Sequence, residues 1–298
     1  MATAQQTVES GIIPIVIELN DVVFFESSER LSRTFLTINS LDLGVLGYPQ
    51  YRFVAHRTKQ AYQLTERHLT KLMRIIPTLV VERPEISCYV VPVYARLLKS
   101  GELVDILLKA LALYPEAYAG RVCIELSCDV LFEDLDEVRE AIEQIRSMGF
   151  KTAISEIGDT FCPVFRVAEL PLDYVFLDPS VITRLTADDA GERVVGSFIS
   201  YLKDLGTLVF APDAYDEATT AALRRVGCDG CIGSIVSGED VIPADETADE
   251  TADEATEEIA DETPVEEAVE DSTETAPLDE ITVGEADADT AEIGGDDD

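Results

Sequence analysis

The chain has 298 residues and carries 59 Asp+Glu against 22 Lys+Arg, a formal net charge of −37. The charge is lopsided: 26 acids and no base fall between Glu239 and Asp298, leaving 33 acids against 22 bases in residues 1–238, a net charge of −11. Such a balance repels polyanions and anionic lipid, which excludes nucleic-acid or membrane-surface binding through a basic footprint. The N-terminus has no basic region leading into an apolar run, and no stretch approaches 18 consecutive apolar residues, so neither a signal peptide nor a membrane span is expected. Six Cys, mostly inside apolar segments, suit a reduced, cytoplasmic compartment better than a disulfide scaffold. With only His56 and His68, a zinc site built from several His is excluded.

Taken in chain order, strand-like apolar runs appear at Ile12–Leu19, Ile86–Val93, Arg121–Leu126, Lys151–Ser155, Asp173–Leu177, Thr207–Phe210 and Cys228–Ile232. Helical patterns separate them. Tyr51–Arg74 is the one local concentration of positive charge, with Arg52, Arg57, Lys59, Arg67, Lys71 and Arg74; it reads as a solvated helix face or as a docking surface for an acidic partner or the chain's own acidic tail. Leu135, Val138, Ile142 and Ile145 share one helical face, and Gly149 follows as a stop. Glu192–Leu205 places Val195, Phe198, Ile199 and Leu202 on one face and ends at Gly206. A last helix opens at Asp216 as N-cap and closes at Gly227. This alternation predicts a parallel sheet covered by helices. About eight repeats without a Gly-x-Gly-x-x-Gly or Walker A loop favour a closed (β/α) barrel over an open doubly wound sheet. Cys228-Asp-Gly-Cys231 has the spacing of a metal or redox pair but lacks a second pair, so a core role is expected.

Two domains are predicted: a barrel over 1–243 and an acidic low-complexity tail over 244–298. The tail repeats Thr-Ala-Asp-Glu at 247–250 and 251–254 and has no aromatic residue. It cannot bury enough apolar area to offset ordering entropy and is expected to be disordered. It reads as a solvating segment, a charged lure for a basic protein, or the mark of an acid-rich proteome.

The stretch Lys151–Ile182, with Ser155-Glu156-Ile157-Gly158, Leu170-Pro171-Leu172-Asp173 and Phe176-Leu177-Asp178, resembles the "DDFGTG…LPvDyiKID" run of the EAL domain family, the cyclic-di-GMP phosphodiesterases. Leu205-Gly206 through Gly227-Cys228-Asp229 is similar to that family's "lGl.vvAEGVE…lGcd" run, and Cys123-Ile124-Glu125-Leu126-Ser127 to its "lEiTEs". The three motifs stand in the family's order and spacing, and the resemblance implies a TIM-like barrel with a site at the strand ends.

It also implies a chemistry: carboxylates and an Asn hold two divalent cations that activate water for in-line attack on a phosphodiester. On that resemblance the Glu of the name motif falls at Glu26 and its Arg at Arg30, the Asn near Tyr89, and the Glu of "lEiTEs" at Glu125. The second Glu of that motif, which steadies a catalytic loop, becomes Cys128. The Asp pair becomes Ser155-Glu156, the Lys of "KID" becomes Phe176 and its Asp survives as Asp178. The general base falls at Pro212, a later Glu at Tyr215, and the Gln of "QG" at Ile232. Loss of ligand, cation and base together removes what the chemistry needs. The expectation is therefore a non-enzymatic regulatory or protein-interaction module. It is expected to hold no cofactor or metal and to engage a protein partner rather than nucleic acid or membrane. Arg30, Glu26, Glu125, Glu156 and Asp178 remain as a vestigial ligand-binding set. The alternatives are a cyclic-di-GMP receptor that does not hydrolyse its ligand, or an active phosphodiesterase with rearranged ligands.

Overall fold

A computed structural model describes residues 15–40, 44–56, 60–114, 116–212, 214, 216–232 and 239–242. The acidic segment 244–298 and Tyr215 lie outside the described residues, as does the strand-like start at Ile12.

Eight strands close into a barrel. They are β1 (Ile15–Phe24), β2 (Arg30–Ser40), β4 (Ile86–Pro92), β5 (Val122–Ser127), β6 (Lys151–Ile157), β7 (Tyr174–Leu177), β8 (Leu208–Ala211) and β9 (Gly230–Cys231). From β2 through β9 neighbouring wall strands run parallel, whereas β1 is antiparallel to both β2 and β9 and closes the ring between them. Two short strands lie outside the wall: β3 (Gly44–Leu46) against the end of β2, and β10 (Glu239–Ile242) along β1. The expected TIM-like barrel is thus present, with one reversed strand. Closure between β9 and β1 is tight. A Cβ on Gly230 would stand 2.3 Å from the Val23 carbonyl oxygen and 3.1 Å from the Phe210 ring, so only glycine admits this pairing.

The helices between the strands follow from their caps and stripes. They are α1 (Tyr48–His56), α2 (Gln60–Glu82), α3 (Ala95–Lys99), α4 (Glu102–Leu113), α5 (Leu135–Ser147), α6 (Pro179–Leu185), α7 (Asp189–Asp204) and α8 (Glu217–Arg225). In α5 the predicted Leu135, Val138, Ile142 and Ile145 are buried, and the Asp134 side chain accepts from the amides of Asp136 and Glu137. The Asp216 carboxylate accepts from Thr219 N at 2.7 Å and starts α8 as expected. Helix α7 begins three residues before the predicted Glu192, because Asp188 rather than a later residue caps it, and Phe198 is only half-buried. In the basic segment Arg67 and Arg74 are exposed on α2, while His68 on its other face is buried.

Alternation along the strands divides the apolar residues into two cores. Val22, Leu31, Cys88, Val90, Cys123, Ala153, Tyr174, Phe176 and Phe210 fill the barrel interior. A larger set, including Ile17, Tyr89, Ile124, Val175 and Val209, packs between the wall and the helices. Strand β2 shows the division clearly. Leu31 points inward, whereas Thr34 points outward, donates from Oγ1 to the Val90 carbonyl at 3.0 Å and lies 2.9 Å from His68 Nε2. Since the Thr34 hydroxyl proton goes to Val90, His68 Nε2 must donate to Thr34.

Candidate functional site

The parallel strands β5, β6 and β7 end at one rim of the barrel, and three of the five residues singled out from the sequence sit there. Glu125 lies near the end of β5 and is 3 % exposed. Glu156 lies near the end of β6, and Asp178 directly follows β7. The other two do not join them. Glu26 is exposed in the turn between β1 and β2. Arg30 opens β2 level with Ile86, the first residue of β4, and shares the outward face with Thr34 by alternation. There it pairs with the buried Asp21 at 2.9 Å, beside Arg83, whose Nη2 reaches the same oxygen at 2.7 Å. The placement of the name motif at Glu26 and Arg30 is therefore corrected: both lie away from the rim, because β2 runs on from Arg30 to Ser40 and delivers later residues to it.

The residue that β2 brings to the mouth is Arg33. Its Nε donates to Glu125 Oε2 at 2.8 Å, and its Nη2 donates to Glu125 Oε1, so the guanidinium grips both carboxylate oxygens. Its carbon lies 4.8 Å from the centroid of Phe176 and 5.3 Å from that of Phe35. Phe176 in turn stacks on Phe210 at 5.5 Å, and Phe24 and Tyr174 meet Phe210 edge-on. Below the ion pair the barrel is thus plugged by aromatic rings. Above it, Tyr48 at the start of α1 packs against Phe35 at 5.3 Å, and burial raises the Tyr48 phenol above its ordinary range. Burial by itself would weaken the Arg33 cation, but Glu125 overrides it and the guanidinium pKa is raised.

The other carboxylates at the rim are engaged as well. Glu156 accepts from Arg52 Nη1 at 2.7 Å. It does so from a left-handed backbone, φ 63°, at the point where the β6–β7 pairing slips between Ile154 and Ile157. That irregularity turns its side chain out to α1. Asp178 accepts from Ser180 N at 2.8 Å and caps α6. Ser155 is buried and donates from Oγ to the Leu126 carbonyl at 3.4 Å. Tyr89, placed at the Asn by the resemblance, faces the helical layer instead. In β4 it is Pro92 that reaches the rim, paired in register with Glu125 and on the same face as Cys88 and Val90. Pro92 offers no side-chain oxygen. Pro212 stands directly after β8, half-buried.

These residues do not fit the pair of divalent cations implied by the family resemblance. Among the described residues no three His, Cys, Asp or Glu group as a metal cage. Glu125, buried in the mouth, already has a fixed positive charge against both oxygens. Sequence reasoning missed Arg33, although a signal was present: Leu31–Ile38 is a second apolar run separated by a short polar turn from the strand before it, the pattern of a hairpin.

Comparisons with known proteins agree with this architecture. The model of the EAL domain family matches residues 31–238, a span that begins after Glu26 and Arg30. Two curated relatives are an uncharacterized protein of Azorhizobium caulinodans, 25% identical over 112 residues, and the cyclic di-GMP phosphodiesterase PdeB of Shewanella oneidensis, 24% identical over 106 residues. The matches cover 38% and 36% of this chain but only 15% and 12% of those proteins. Among solved structures, the PaMucR phosphodiesterase in complex with c-di-GMP is similar with a TM-score of 0.70 at 19% identity, over 80% of this chain and 96% of that one. The FimX EAL domain from Pseudomonas aeruginosa bound to c-di-GMP gives a TM-score of 0.67 at 16% identity, over 80% and 95%. The family model spans well over half of the sequence, and this chain belongs to the EAL domain family.

Proposed function

We propose that this EAL domain does not hydrolyse cyclic-di-GMP and acts as a regulatory or protein-interaction module. The observation that carries the reading is the Arg33–Glu125 pair. A carboxylate that accepts two hydrogen bonds from one guanidinium has both oxygens committed, and the neighbouring positive charge repels an incoming dication. Around the pair stand Pro92, Ser155, Phe176 and Pro212, none of which offers a carboxylate or a basic side chain. Of the described carboxylates at the rim, Glu125 and Glu156 are held by arginines and Asp178 caps a helix, an arrangement that suits ion pairing better than holding a dication or accepting a proton. Phe132, Phe161 and Phe165 stand 60%, 81% and 78% exposed on the turns after β5 and β6, which suits a surface that binds rather than a cleft that cuts. Among the described residues no helix is long and apolar enough to cross a membrane, so a membrane-spanning role draws no support from them.

A second reading, a receptor that binds cyclic-di-GMP without cleaving it, is favoured by one specific feature. The Arg33 side chain is 18% exposed, and its guanidinium carbon lies near the rings of both Phe35 and Phe176. A fixed cation framed by aromatic faces suits a phosphate and a base. Calorimetric titration of the full chain with cyclic-di-GMP, with and without Mg²⁺, separates the two. Saturable heat independent of Mg²⁺ and lost in Arg33→Met selects the receptor. No heat selects the pure interaction module. Multiple turnover to the linear dinucleotide overturns both.

A further inference from the structure

The exposed rings of Phe132, Phe161 and Phe165 stand on two turns whose backbones are fixed. Val130 and Leu131 anchor the turn Cys128–Phe132 after β5, and Val167 anchors the turn Val164–Glu169 before β7; all three are buried. Arg166 binds the two turns together. Its Nη2 donates to the Glu133 carbonyl at 3.1 Å and its Nη1 to that of Leu131, so the guanidinium grips the residues on either side of Phe132 from the position next to Phe165. Tyr201 of α7 braces Phe165, with its ring edge-on at 5.6 Å and its hydroxyl donating to the Phe165 carbonyl at 3.4 Å. Phe161 belongs to the same stretch, where the Cys162 amide donates to the Asp159 carbonyl at 3.1 Å and the Arg166 amide to the Pro163 carbonyl at 2.9 Å. Three exposed aromatic rings on one clamped part of the rim need little further ordering to bind.

The charge around these rings is negative. Segments 127–137 and 158–170 hold seven Asp or Glu and one base, Arg166, both of whose arms are taken by carbonyls. Lys99 reaches Glu133 at 2.7 Å and Arg139 reaches Asp136 at 2.8 Å, and a surplus of four acids still remains. Asp129 and Asp159, three and two residues before Phe132 and Phe161, are exposed. Such a field repels anionic lipid, so these rings are not membrane anchors. A second copy laying the same patch against this one would oppose like charges. A cationic chain that also carries apolar side chains satisfies both the rings and the acids.

We propose, on the reading of this domain as one that binds rather than cleaves, that the Phe132–Phe161–Phe165 stretch of the rim is a docking surface for a basic amphipathic segment of a partner protein. The segment's apolar side chains cover the three rings, and its Lys or Arg side chains lie over Asp129 and Asp159. The two contributions are separable. Ring burial supplies affinity that persists in salt, whereas the acids select a basic partner and speed its approach, an effect that salt screens.

The test titrates the full chain into a fluorescent amphipathic peptide of Leu and Lys, about 18 residues long, with a Glu-for-Lys counterpart as control. Anisotropy is read at about 0.15 M and about 0.5 M salt. Saturable binding of the Lys peptide and none of the Glu peptide is expected. Phe132→Ser, Phe161→Ser and Phe165→Ser together are expected to weaken binding at least about tenfold at both salts. Asp129→Asn with Asp159→Asn is expected to weaken it about threefold at the lower salt and little at the higher. The acidic segment 244–298 is present in every variant, so attraction to it cancels from the comparison. A photoreactive group on the peptide is expected to cross-link the wild-type chain within 127–137 or 158–170, a result that needs no variant to fold. No binding, cross-links elsewhere, or a concentration-dependent dimer that the Phe variant dissolves would overturn the proposal. Multiple turnover of cyclic-di-GMP would overturn the binding-only reading, whereas an affinity unchanged by loss of the three rings would overturn the surface alone.

Discussion

Arg33 of β2 and Glu125 of β5 stand on strands separated by β4, and their side chains meet in the barrel mouth through two hydrogen bonds with Phe176 beneath them. The pair returns to the site a positive charge that position 176 does not supply, and it satisfies a buried carboxylate without a metal.

Breaking the pair from one side is expected to cost far more than replacing it whole. Arg33→Ala leaves Glu125 buried and uncompensated, and the loss of stability is about 3–5 kcal/mol. The double replacement Arg33→Met with Glu125→Leu is expected to recover most of that loss, since both charges leave together. Urea denaturation of the three proteins checks it, and a double variant no better than Arg33→Ala would show that the pair is not the unit.

Acidification is expected to act through His68. Burial holds its imidazole neutral down to about 3, whereas in the unfolded chain it protonates near 6.5. Between these values the unfolded state binds the extra proton. Stability from this group is therefore complete above about pH 6.5 and falls as pH drops toward 3, by at most about 1.4 kcal/mol per pH unit. His68→Gln, which can still donate to Thr34, is expected to show a shallower fall between pH 6.5 and 4.5 in denaturation experiments. An unchanged slope would assign the acid sensitivity elsewhere.

Gly230→Ala is expected to strain barrel closure. The added methyl would sit 2.3 Å from the Val23 carbonyl oxygen, so β9 or β1 must move, at a cost of about 2–3 kcal/mol. Amide exchange should localise the loosening to Val23, Phe24 and the β9 residues. Full protection there would contradict the tight pairing.

Much of the barrel was legible because β4 to β9 are short apolar runs bounded by polar or glycine residues, and because Asp216 caps its helix by local chemistry alone. Strand β2 was not legible. Its polar residues Ser32, Thr34 and Thr37 look like solvent-facing positions, yet all three are buried, and Thr34 is satisfied by His68 thirty-four residues away. With that strand unread, the name motif slid to Glu26 and Arg30, and Arg33 passed unnoticed. Tyr89 is kept from the mouth by alternation, since its neighbours Cys88 and Val90 point inward. Glu125, Glu156 and Asp178 lie at the rim because each sits on or just after a strand whose motif is local. Their partners Arg33, Arg52 and the α6 amide are set by the closed barrel or the local cap, and the first two lie about a hundred residues away in sequence.

The central claim, that the mouth holds a guanidinium where a hydrolase needs dications, is tested most directly by a turnover assay. The full chain is incubated with cyclic-di-GMP in Mg²⁺ and in Mn²⁺, and the linear dinucleotide is followed by chromatography. The expected result is no product above the protein-free control with either ion. Metal-dependent accumulation over many turnovers, abolished by Glu125→Gln, would contradict the account.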